Sequence, residues 1–142
     1  MKNTWLQNVV KMFLATGTFL ILFACASQDE MRIDYEIDPE EVINEIKALK
    51  QFEEVEIKGV TITSNKGATN LLMIDLVNGE SLEERGDELK ELGADVLSIV
   101  TDAMVNENDF EEFRVGFTQR RGLGIISGSF SRSFEYKLED LD

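Results

Sequence analysis

The chain has 142 residues, with 28 Asp or Glu against 14 Lys or Arg, for a formal net charge of −14. A surface that acidic repels nucleic acid and anionic head groups, and it suits a cationic protein partner. Histidine is absent and cysteine occurs once, which excludes Ser-His-Asp and Cys-His nucleophiles, zinc sites built on those ligands, the usual haem ligation and any disulfide within the chain.

In chain order, Lys2 and Lys11 come before an uncharged apolar run, Met12 to Ala24, of the length a secretory signal needs. The run closes on Leu22-Phe23-Ala24-Cys25. That tetrapeptide resembles the lipobox of bacterial lipoproteins: an aliphatic residue, a tolerant position, a small residue and the cysteine. Phe23 is bulkier than the family's usual residue there. The resemblance implies that a signal peptidase reads Leu22 and Ala24 of the lipobox Leu22-Phe23-Ala24 and removes residues 1–24. Cys25 then carries a thioether-linked diacylglycerol and an N-acyl chain, with no further cofactor. The alternatives are a free cysteine that merely follows a hydrophobic run and an uncleaved anchor, although Met12 to Gln28 sits at the lower limit for spanning a bilayer. Loss of the signal takes Lys2, Lys11 and the only tryptophan, Trp5, and moves the net charge from −14 to −16. Ala26 lacks the aspartate that marks inner-membrane retention in enteric bacteria. Asp29 and Glu30 resemble the export signals of surface lipoproteins in Bacteroidota. The implied address is the cell envelope, at the outer membrane of a Gram-negative bacterium.

Residues 25–37 are acidic and read as a tether that could extend on the order of 40 Å. Residues 38–142 read as one α+β domain. Asp38-Pro39-Glu40-Glu41 starts a helix: a cap, a proline at the first helical position, and two carboxylates at the positive dipole end. Val42, Ile43, Ile46 and Leu49 recur at helical spacing up to about Gln51. Phe52 to Thr63 reads as a strand whose parity shifts at Gly59, which suggests a bulge. After the turn Ser64 to Gly67, the near-continuous apolar run Leu71 to Val77 reads as a central strand interrupted only by Asp75. Ser81 to Glu84 forms a capping box, and a long helix is expected to about Val105 with Gly86 and Gly93 near its apolar face. The competing reading ends that helix at Gly93 and makes Val96 to Val100 a strand. Phe110 to Thr118 and Ile125 to Leu138 read as the last two strands, joined through Gln119 to Gly124. In the final strand Arg132 interrupts an apolar row and is expected to snorkel or mark a bulge.

The expected architecture is an α-β-β-α-β-β two-layer sandwich: a four-stranded antiparallel sheet with both helices on one face. Phe52 to Ile57 (FEEVEI) echoes Phe110 to Val115 (FEEFRV), which suggests two helix-strand-strand units, 38–79 and 80–138, related by duplication or merely by similar packing demands. Ser127, Ser129, Ser131 and Ser133 line one side of the last strand. Together with Arg114 they form a candidate interaction face, with a plain solvated face as the simpler reading. No metal-ligating spacing stands out. Arg120, Arg121 and the neighbouring glycines could meet an anion but lack the strand-to-helix context of a phosphate loop. The expected function is therefore a lipid-anchored, non-enzymatic protein-binding domain, an envelope assembly subunit or an immunity-type protein. A carboxylate-dependent hydrolase of envelope polymers is the alternative.

Overall fold

The computed structural model describes residues 27–80, 82, 86–123 and 126–137, with the side chains of 121–123, 126 and 127 not among them. The lipobox residues Leu22 to Cys25, the capping box at Ser81 and the acidic end after Lys137 lie outside the described residues.

The chain is α+β. Its strands are β1 (Ser27–Met31), β2 (Glu54–Ser64), β3 (Gly67–Val77), β4 (Glu112–Leu123) and β5 (Ile126–Tyr136), and its helices are α1 (Pro39–Lys50) and α2 (Gly86–Asp102). The strands form one sheet in the order β1-β2-β3-β4-β5. Neighbours are antiparallel except β3 and β4, which are parallel. This corrects the expected four-stranded antiparallel sheet in two respects.

First, the stretch read as a tether is part of the domain. Residues 27–31 pair with β2 from Ser27↔Thr63 to Met31↔Gly59. The segment that follows is tied to the far end of α2: the Val105 amide donates to the Asp34 carbonyl, the Glu36 amide to that of Ala103, and the Asn106 side chain accepts from the Asp34 amide and donates to the Arg32 carbonyl. Met31, Ile33 and Tyr35 alternate and pack onto the core, a period-two signal hidden in an acidic composition. Second, α2 carries the chain back to the end of the sheet where β3 begins, so β4 must run alongside β3 in the same direction. The Glu111 amide donates to the Asn70 carbonyl at that point, and Leu71 lies opposite Glu112.

Both helices cover one face of the sheet, with Val42 and Ile46 of α1 and Leu89, Val96, Leu97 and Val100 of α2 buried against Leu72, Ile74, Leu76, Phe113, Val115 and Phe117. Asp38 caps α1 by accepting from the Glu40 amide, and Gln51 ends it in the left-handed region at φ 48°. The long-helix reading of α2 holds through Gly93. A Cβ at Gly93 would collide with the Tyr136 hydroxyl, which donates to the Lys90 carbonyl at 2.7 Å, so the glycine marks the close approach of helix and sheet. Gly59 sits in an unbroken register rather than a bulge; a Cβ there would lie 2.5 Å from the Met31 carbonyl oxygen and 3.1 Å from the Phe110 ring. Arg132 likewise causes no bulge: its guanidinium lies 5.4 Å from the centre of the Phe130 ring.

Candidate functional site

The sheet face turned away from the helices holds the candidate site. Side chains on directly opposed residues share a face, so the register writes this surface out in rows. The central row runs Glu56, Asp75, Gly116, Ser133. On one side of it lie Lys58, Met73, Arg114, Glu135, and on the other Glu54, Val77, Thr118, Ser131. Beyond the first of these rows come Glu30, Val60, Leu71 and Glu112. Val60, Leu71 and Val77 point to this face outside the core cluster beneath the helices, but they are buried and offer little apolar surface to a partner.

The expected interaction residues come together only in part. Ser129, Ser131 and Ser133 are exposed and aligned on this face, and Arg114 lies on it one strand inward, bonded to Glu135 at 2.9 Å. The Ser131 and Thr118 hydroxyls approach to 3.2 Å. Ser127 continues the backbone register opposite Gly122, while its side chain lies outside the described residues. Arg120 sits 3.8 Å from Glu54, and the Arg121 side chain is not described.

Asp75 is the residue the serine row did not reveal, although a lone charge in the run Leu71 to Val77 was its signal. It stands at the centre of the face, and a Cβ on Gly116 would lie 2.6 Å from its Oδ1. The missing side chain at Gly116 therefore leaves room for the carboxylate. Burial pushes the Asp75 carboxyl above its ordinary value, and the neighbouring Glu56 adds to the effect against the pull of Lys58 and Arg114. Glu56 in turn holds Lys58 at 2.7 Å, and this hydrogen bond is the main reason the ammonium is raised above its ordinary value.

Among the described residues, three cations on the face, Lys58, Arg114 and Arg120, each meet a carboxylate on the same face. Glu30, Asp75 and Glu112 are then left in surplus. Such a surface can receive ammonium or guanidinium groups. Among the described residues no group of three His, Cys, Asp or Glu could hold a metal ion, and no helix is long and apolar enough to cross a membrane. Two cavities of about 480 Å³ reach the edges of this face, one among Glu30, Met31, Ile33, Tyr35, Ile57 and Lys58 and one among Lys90, Ala94, Glu135 and Tyr136. No protein-family model, curated protein or solved structure matches the chain.

Proposed function

We propose that this chain is a cell-envelope lipoprotein, anchored through Cys25 at the outer membrane of a Gram-negative bacterium, whose open sheet face docks a basic protein without catalysing a reaction. The observation that carries the docking reading is the carboxylate surplus around Asp75, in a chain with a formal charge of −14. Charge complementarity of this kind selects a partner and speeds its approach. An assembly subunit of the envelope and an immunity-type protein neutralising a basic toxin both fit that chemistry.

The anchor is read by intact mass of the protein purified from its native membrane. The expected product begins at Cys25 with acyl chains attached, and Cys25→Ser accumulates as precursor; a wild-type chain that keeps Met1 sinks the anchor reading. The face is read by affinity capture from envelope extracts. Wild type is expected to recover a stoichiometric basic partner, and the Glu56→Gln/Asp75→Asn double variant to lose it while keeping its fold. Equal recovery by both removes this face from the function.

One observation favours a second reading, a carboxylate-dependent hydrolase. Asp75 and Glu56 are direct cross-strand neighbours whose surroundings differ, Asp75 being raised by burial and Glu56 held by Lys58. Turnover of an envelope polymer that disappears in either single variant, with folding intact, would replace the binding reading by this one.

A further inference from the structure

The proposed anchor and the observed β1 together define which end of the domain meets the bilayer, and the following rests on that anchor reading. Ser27 opens β1 opposite Thr63, and only Ala26 stands between Ser27 and Cys25. Two residues reach at most about 7 Å, so lipid on Cys25 holds the start of β1 against the head groups rather than tens of ångströms above them. From Thr63 the β2–β3 hairpin runs two further residues to its tip at Asn65 and Lys66, both exposed. The tip therefore extends past Ser27 by the same two residues that separate Ser27 from Cys25.

Charge admits two ends of the domain, and the geometry of the anchor chooses between them. From Gly59 to Ile74 the sequence carries Lys66 and no acidic residue, in a chain with 28 of them. A body with a net charge of −16 approaching anionic head groups is turned so that an acid-poor end leads; on the neighbouring β1, Asp29 and Glu30 stand opposite Thr61 and Val60, behind the tip. A second acid-free stretch, Phe113 to Phe134 with four arginines, forms the β4–β5 hairpin. That hairpin points the opposite way: Thr118 is level with the end of β3 at Val77, and Gln119 to Leu123 pair with β5 alone. Its outer part lies about 13 strand residues from the Asn65 tip, on the order of 40 Å.

We infer that the β2–β3 hairpin tip, Ser64 to Gly67, is a membrane-apposed surface resting on lipid head groups, with the strands rising from the bilayer and the arginine-bearing β4–β5 hairpin presented outward. The proposed docking face then stands roughly perpendicular to the membrane and is open to partners from the side.

The test uses two peculiarities of the chain, one cysteine and no tryptophan after residue 25. The chain from Cys25 onward contains every core residue. Its thiol is coupled to maleimide-bearing phospholipid in phosphatidylethanolamine/phosphatidylglycerol vesicles containing a head-group dansyl acceptor. Energy transfer is then measured from Asn65→Trp and, separately, from Ser129→Trp, after circular dichroism shows both variants folded. The expected result is at least threefold greater transfer from position 65. Equal transfer, or greater transfer from position 129, overturns the orientation and indicates a domain that lies over on its arginines or pivots freely. Because the coupling is chemical, this pattern reports orientation whether or not cells acylate Cys25, and the native mass reports acylation separately.

Discussion

At the scale of single residues, the proposed docking role sets recognition by Asp75 against stability. Its carboxyl is raised by burial first and by Glu56 second, above an ordinary value of 3.8. The folded chain therefore binds its proton more tightly than the unfolded chain does. Below 3.8 both states are protonated and Asp75 carries no penalty; as pH rises past that value toward the raised folded value, the unfolded state ionises first and stability falls. The difference in unfolding free energy between Asp75→Asn and wild type should thus be near its smallest at about pH 3 and should grow until it levels off above the raised value. Urea unfolding of both proteins across that range measures it. A difference that shrinks with rising pH would mean that Lys58 and Arg114 outweigh burial. Under the proposed docking function, the same substitution is expected to weaken partner capture.

At the scale of elements, the sequence marks periodicity well and neighbours poorly. α1 was legible from its cap, its proline and the 42-43-46-49 spacing, and it ends at Lys50 with Gln51 closing it. The alternation in β5 was legible too, and the register places Ser129, Ser131 and Ser133 on one side. The echo of FEEVEI and FEEFRV corresponds to a shared facing: Phe52 and Phe110 are buried, the following glutamates are exposed, and Ile57 and Val115 lie toward the helices. The direction of β4 was missed because strand composition carries no direction; it follows from where α2 returns the chain. The candidate site was only half legible for the same reason. A serine row lies within one strand, whereas Asp75, Glu56 and Arg114 come from three, and only the register brings them together. β1 was missed because its solvent side is acidic and its hold on the domain comes from distant groups, chief among them Asn106. That side chain satisfies the Asp34 amide at 2.9 Å and the Arg32 carbonyl at 3.3 Å. Asn106→Ala leaves both without this partner and should destabilise the fold by about 1–2 kcal/mol. Amide exchange in β1 and residues 32–36 should accelerate more than exchange in β3. Uniform acceleration across the sheet would show that β1 opens only with the whole domain.

At the scale of the molecule, the formal charge of −14 is a standing repulsion that the fold distributes rather than neutralises. The described ion pairs on the open face are solvent-exposed and each is of small value, typically below ~1 kcal/mol. The repulsion instead sums over the long acidic stretches that flank two acid-free hairpins. Salt screens both effects, from a reach of about 30 Å at ~0.01 M to about 3 Å at ~1 M. If local pairs dominated, added sodium chloride would lower the unfolding midpoint; if net repulsion dominates, it raises it. With 28 acidic residues against 14 basic ones, repulsion is the larger sum, so the thermal midpoint should climb as salt is added. The Glu56→Gln/Asp75→Asn double variant, two charges less negative, should start higher in low salt and climb less. A midpoint that falls with salt in wild type would show that the pairs at Lys58, Arg114 and Arg120 outweigh the net charge. The open face would then be an electrostatically self-satisfied surface, with little left to attract a basic partner.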